Sequence, residues 1–294
     1  MSSLNESAVV ARAVAAASGV AALHGLRCEE AIVISDANNV LVHLRPAPVV
    51  ARVATLMSLI RPGGGGEALE RELAVSEFLL SRGVPAISPS RELPPGPHRE
   101  DGLWLTFWEH VEPVASQPAD LEEAARALAE LHTILAGCTL ELPLLEPVAQ
   151  ELPRVLAALA SAGIADGDLA LLRQALGLVL SRLADGGLPL QVVHGDAHTG
   201  NLLRTGDGLV WTDYEDACVA PVAWDLACLC VPLGAFADAA LDAYGGGLGE
   251  AELEPFLDAR ALHAAVWWSW LALADARRSE RAQFWLQWWR DRLA

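Results

Sequence analysis

The chain has 294 residues, 53% of them hydrophobic, enough to bury a sizeable core in one large domain or two lobes. Its formal net charge of −18 argues against a nucleic-acid partner, which wants a basic surface. The same charge suits a cationic substrate, or simply keeps an apolar protein in solution.

Residues 6–17 predict a short first helix. Three β-prone runs follow, Ala31–Ser35, Val40–Arg45 and Val49–Ala54, separated by the turn signals Asp36-Ala-Asn-Asn39 and Pro46-Ala-Pro48. Pro62-Gly-Gly-Gly-Gly66 reads as a flexible loop, and Glu67–Ser81 has helical periodicity closed by Gly83. Ile87–Leu93 and Leu103–Trp108 predict two further strands around a Pro/Gly-rich turn at 94–97. Together these segments describe a small five-stranded antiparallel sheet with one inserted helix.

Beyond Glu112-Pro113 the pattern becomes helical. Asp120–Leu135, with Asp120 as N-cap, then 147–162 and 166–184, read as amphipathic helices. Short strands frame a polar loop within 190–212, and helices resume from 223. The expected architecture is α+β and bilobal, with lobes at 1–110 and 111–294. The most apolar stretch, 227–237, is broken by Pro232 and Gly234, so no membrane span is expected. Met1-Ser-Ser-Leu-Asn-Glu6 has no basic leader region. Five irregularly spaced cysteines suggest neither a zinc ribbon nor a disulfide framework. A cytoplasmic protein with reduced thiols is expected, as a monomer or homodimer.

The chemistry concentrates in His194-Gly-Asp-Ala-His-Thr-Gly-Asn201 and Asp213. An Asp five residues before an Asn, with a second Asp one short hairpin later, is the spacing phosphoryl transfer requires. Asp196 would orient an attacking hydroxyl. Asn201 and Asp213 would supply hard oxygen ligands to the Mg²⁺ on a nucleoside triphosphate. His194 reads as a structural loop histidine, and Gly195 and Gly200 as backbone positions closed to other residues.

Val193-His-Gly-Asp-Ala-His-Thr-Gly-Asn-Leu-Leu203 resembles the signature of the aminoglycoside phosphotransferase and choline kinase superfamily, a branch of the protein-kinase-like fold. Trp211-Thr-Asp-Tyr-Glu-Asp216, Pro221-Val-Ala-Trp-Asp-Leu-Ala227 and Leu128-Ala-Glu-Leu-His132 resemble that family's metal-binding, Asp-Leu-Ala and Leu-x-x-Leu-His elements. The resemblance implies a small nucleotide-binding N-lobe, a larger helical C-lobe, and Asp225 as an anchor of the catalytic loop. It also implies a strand cation on the donor phosphates, paired with a helix carboxylate. Val50-Ala-Arg52-Val takes that place, because all 20 of the Lys+Arg residues are arginine. Glu72 is the expected partner, with Glu70, one helix face away, as the alternative. The phosphate-covering loop would be Ser35–Asn39, glycine-free, with Asn39 assisting. The purine edge of ATP or GTP would meet the main chain near Trp108 and His110.

Six of the ten tryptophans lie in Val266-Trp-Trp-Ser-Trp270 and Phe284-Trp-Leu-Gln-Trp-Trp289. They read either as core packing of two C-terminal helices or as an aromatic wall for an acceptor. Trp267, Trp270, Glu215 and Asp216 are the candidate acceptor contacts. The expected function is a small-molecule kinase acting on a hydroxyl of an antibiotic such as an aminoglycoside. An amino-alcohol or sugar kinase and a non-catalytic nucleotide-binding regulator are the alternatives.

Overall fold

The computed structural model describes residues 3–114, 121–184, 187–206, 208–231 and 237–294. The chain divides into two units, Ser2–Ser116 with Leu203–Glu215, and Gln117–Leu202 with Asp216–Ala294.

In the first unit, helix α1 (Ser3–Leu23) runs well past the expected 6–17. Its stripe of small residues continues through Val20 and Ala21, and with Ala13, Ala16 and Ala17 it is buried against a sheet. Packing therefore overrides the weak helix propensity of Ser18-Gly19. The sheet holds β1 (Glu30–Asp36), β2 (Asn39–Arg45) and β3 (Val49–Ala54). Helix α2 (Gly66–Ser81), β4 (His98–Glu100) and β5 (Leu103–Glu109) follow. Its strand order is β1-β2-β3-β5-β4, every pair antiparallel.

Strand periodicity divides the work of the two faces. Val40, Val42, Ala51, Val53, Leu105 and Phe107 join the core built on α1. Arg52 stands opposite Leu41 on one neighbour and Thr106 on the other, so these three share the second face.

The strand expected at Ile87–Leu93 is not formed, and the fifth strand is His98–Glu100 instead. Pro89 has no N–H to give a ladder, so the segment keeps only an isolated bridge from Pro89 to Trp108. Flanking bonds from Ser90 N to the Phe107 carbonyl and from Glu109 N to the Ser88 carbonyl, both 2.9 Å, hold it along β5.

The second unit is mostly helical. Helix α3 (Leu121–Leu135) buries one face through Leu128, Leu131, His132 and Leu135, while its expected N-cap, Asp120, lies outside the described residues. A π-helical turn, Pro147–Glu151, leads into α4 (Leu152–Ala162), and α5 (Asp166–Ala184) follows. Strand β6 (Gln191–Val193) enters the polar loop. The ribbon β7 (Leu202–Thr205) and β8 (Gly208–Trp211), which leads out of it, belongs from Leu203 on to the first unit. Strand β9 (Cys218–Ala220) pairs with β6 and is followed by α6 (Ala223–Cys230) and α7 (Ala237–Tyr244). Last come α8 (Glu250–Ala274) and α9 (Ser279–Leu293), with α8 packed on α4, α5, α6 and α9. No described helix is long and apolar enough to cross a membrane.

Candidate active site

The loop after β6 is fixed from behind by Asp225. This fully buried carboxylate on α6 accepts the N–H groups of His194 at 2.7 Å and Gly195 at 2.8 Å. It also meets His132 Nε2 at 2.9 Å, while His132 Nδ1 lies 2.8 Å from the Tyr244 hydroxyl. Burial pushes the Tyr244 hydroxyl up to about 12, with Asp225 adding to it, so Tyr244 stays a donor. The chain Tyr244 to His132 to Asp225 thus ties α7, α3 and α6 to the loop. His194 is fully buried, and its Nδ1 accepts the N–H of Asp196 at 3.3 Å, the structural part the sequence suggests.

Two glycines are dictated by close approach. Gly195 has φ +90, and a Cβ there would lie 1.8 Å from the Asp216 carbonyl oxygen. A Cβ at Gly200 would lie 2.6 Å from the His198 ring. That ring is part of the site: Gly200 N donates to His198 Nδ1 at 3.0 Å, which leaves the proton on Nε2, 3.4 Å from Asp196 Oδ2. The Asn201 amide nitrogen donates to the Asp196 carbonyl at 2.9 Å, so the amide is held with its nitrogen toward the loop.

Arg260, which the sequence reading did not single out, lies on Asp196. Its Nη1 is 2.8 Å from Asp196 Oδ1 and 3.2 Å from His263 Nδ1. His263 Nε2 is 3.9 Å from Glu151 Oε1, which also accepts the Trp267 indole N–H at 3.1 Å. Arg260, His263 and Trp267 are three and seven residues apart, so one face of α8 presents all three. That spacing is the signal available in the sequence, but an Arg and a His on a long helix do not reveal which carboxylate they face. Burial works to raise the Asp196 carboxyl, but Arg260, His198 and His263 outweigh it and hold it well below the usual carboxylate range. Asp196 is therefore an ionised hydrogen-bond acceptor at neutral pH.

In the first unit the expected strand cation has its expected partner. Arg52 Nε is 3.1 Å from Glu72 Oε2, and both side chains are nearly sealed from solvent. Its Nη2 pairs with Asp213 and lies 3.2 Å from Glu215 Oε2. A second arginine, Arg61, reaches the same Glu215 oxygen at 3.2 Å. Burial pushes the Glu72 carboxyl up to about 8, and neighbouring Asp213 and Glu215 add to the shift against the pull of Arg52. Asp213 has φ +69, one of three non-glycine residues with positive φ among those described.

Asn39, the last residue of the expected 35–39 loop, opens β2, opposite Ala54 and on the same sheet face as Arg52, and its amide nitrogen lies 3.3 Å from both Glu215 oxygens. Glu215 is not an open acceptor contact. It is 4% exposed and engaged by Arg52, Arg61 and Asn39. With no lysine in the chain, two guanidinium groups fill this face and draw the carboxylate inward.

Trp108 is buried, its indole N–H donating to Thr106 Oγ1 at 2.9 Å. His110 stacks on His43 with ring centroids 3.9 Å apart, and its main-chain N–H donates to the Pro48 carbonyl at 2.9 Å. That N–H is spent within the protein. Trp267 is 9% exposed and tied to Glu151, the packing alternative rather than an open wall. Trp270 and Asp216 are partly buried.

Asn201 and Asp213 offer oxygen donors, the kind a hard cation prefers. Among the described residues no three His, Cys, Asp or Glu side chains gather as a metal site.

The model of the phosphotransferase enzyme family matches residues 32–256. No curated protein matches the sequence. Among solved structures, a choline/ethanolamine kinase family protein from Mesorhizobium loti is 20% identical with a TM-score of 0.64, covering 96% of this chain and 94% of its own. The amicoumacin kinase hAmiN, solved with AMP-PNP, Ca²⁺ and Ami, is 15% identical with a TM-score of 0.73, covering 94% and 92%. The GDP and kanamycin complex of APH(2")-IIia is 13% identical with a TM-score of 0.58, covering 94% and 97%. The fold is kinase-like, and the chain belongs to the phosphotransferase enzyme family as a small-molecule kinase.

Proposed function

We propose that this kinase transfers the γ-phosphate of ATP or GTP to a hydroxyl of an antibiotic or a related hydroxylated compound. The observation that carries this reading is the loop from Asp196 to Asn201, whose carboxylate and amide are both fixed by bonds within their own unit. Asp196 would accept a hydrogen bond from the acceptor hydroxyl and align its oxygen with the γ-phosphorus. The new O–P bond forms as the bond to the bridging oxygen breaks. The electron pair leaves with the nucleoside diphosphate, and the hydroxyl proton passes by Asp196 to solvent.

Magnesium, held by Asn201 and Asp213, would neutralise the charge that gathers on the phosphates. Arg52, oriented by Glu72, would face the donor phosphates as a planar fork. Residues 1–110 would serve the nucleotide and 111–294 the acceptor.

A second reading, an amino-alcohol kinase, is supported by the likeness to a choline/ethanolamine kinase family protein and to a microcompartment-associated aminopropanol kinase. A cationic aminoglycoside loses one of its expected carboxylates, since Glu215 is engaged by two arginines. A non-catalytic regulator would have no need of Asp196, Asn201 and Asp213 together.

The test is Mg²⁺-dependent nucleotide consumption by wild type and Asp196→Ala against hydroxylated antibiotics, aminoglycosides, amino alcohols and sugars. Acceptor-stimulated turnover that the variant loses supports the kinase. Turnover equal in both proteins removes Asp196 from the chemistry, and nucleotide binding without stimulated turnover favours the regulator.

A further inference from the structure

Arg260 uses only half of its guanidinium inside the protein. Nη1 serves both Asp196, at 2.8 Å, and His263, at 3.2 Å. Among the described residues, Nε and Nη2 have no hydrogen-bond partner. The side chain is 12% exposed.

The Nε/Nη2 edge of a guanidinium carries two parallel N–H bonds, the geometry that takes an oxyanion in bidentate fashion. The rest of the group is immobilised. Asp196 and His263 fix Nη1, and Glu151, 2% exposed and bonded to Trp267, backs His263. Of the other charged groups near Asp196, His198 is turned onto Asp196 itself, and the partly buried Asp216 carboxylate acts on Arg260 as Asp196 does. The donors left open beside Asp196 are therefore those of Arg260.

A cationic acceptor would bring its ammonium toward that edge and find Asp196 already neutralised by Arg260. An acceptor with an oxyanion near its hydroxyl would instead place one group on each side of a single guanidinium. On the kinase reading above, we propose that the acceptor is a hydroxy compound bearing an oxyanion close to the phosphorylated hydroxyl, with Arg260 as the residue that selects it. A carboxylate and a phosphate ester share this chemistry.

The experiment uses the full chain with Mg²⁺ and measures both acceptor binding, by calorimetry with AMP-PNP present, and turnover with ATP or GTP. The probes are D-glycerate, its amide, glycerol, L-homoserine, glycerol 3-phosphate, ethanolamine, choline and kanamycin. Wild type is expected to bind glycerate, homoserine or glycerol 3-phosphate in preference to the amide, glycerol and the cations. Glycerate against glycerol 3-phosphate separates the carboxylate from the phosphate source. Arg260→Gln should weaken oxyanion binding by roughly tenfold or more, the worth of a charge-assisted hydrogen bond, with Arg260→Lys intermediate. Because Arg260→Gln leaves Asp196 unpaired, thermal unfolding of both variants accompanies the assay, and Arg260→Lys keeps the charge if Arg260→Gln does not fold.

Failure of every oxyanion probe to bind overturns the inference, as does oxyanion binding that neither variant changes. Turnover of choline or kanamycin alone, lost in Asp196→Ala, overturns it while the kinase stands. Oxyanion binding that depends on Arg260, with nucleotide consumption unchanged in Asp196→Ala, leaves the anion site standing and removes the kinase reading.

Discussion

Arg52 shows why an arginine on the third strand differs from a lysine. Its Nε faces Glu72 and its Nη2 faces Asp213 and Glu215, so two distinct nitrogens hold two elements at once. A lysine has one ammonium and cannot divide itself in this way. Arg52→Lys is expected to raise the nucleotide KM by roughly tenfold, about one charge-assisted hydrogen bond, with a smaller change in kcat. Steady-state kinetics with an acceptor that the turnover assay identifies would check this, and an unchanged KM would mean that Arg52 does not orient the donor. The pairing of Arg52 with Glu72 was legible in the sequence because strand and helix motifs stand in a fixed order. Arg61 was not, since an arginine before a proline and a glycine run reads as surface. Only the fold brings it to Glu215.

At the scale of elements, the catalytic loop depends on helices that do not touch the reacting atoms. Asp225 collects two loop N–H groups and His132 in a fully buried place. Asp225→Ala would leave those donors unpaired and is expected to cost about 1–3 kcal/mol for each, the usual penalty for a buried group left without its hydrogen bond. Denaturant unfolding measures it; a loss under 1 kcal/mol, within the range of an exposed pair, would show that the loop is held elsewhere. Asp225 could be read from its Asp-Leu-Ala motif. Strand periodicity likewise located β1, β2, β3 and β5 to within a residue or two. It failed at 87–93, where the apolar pattern was right but Pro89 denied the ladder its donor. The α8 face of Arg260, His263 and Trp267 was hidden for another reason. Its tryptophans dominate the reading of that helix, and its partner Glu151 is more than a hundred residues away.

For the whole molecule, composition foretold a large core. Cys218, Cys228 and Cys230 are buried, whereas Cys28 and Cys138 are partly exposed. Burial pushes the Cys230 thiol up to about 11, with Asp238 adding to it, and raises Cys228 well above its ordinary value. Alkylation of the folded protein near pH 8 should therefore modify Cys28 and Cys138 first, because only the thiolate reacts. Mass spectrometry of the labelled peptides decides it: early labelling of Cys228 or Cys230 would mean that α6 opens in the native state.

The absence of lysine has a practical outcome. Reagents that tag nucleotide sites by acylating an ε-amine, including acyl-phosphate analogues of ATP, find no side-chain target in this chain, because the cation on β3 is Arg52. A proteome survey built on such reagents would pass over this enzyme even when its donor site is full. Acetyl transfer to a side-chain amine likewise has no acceptor here, and the positive charge on β3 is one that such a modification cannot erase.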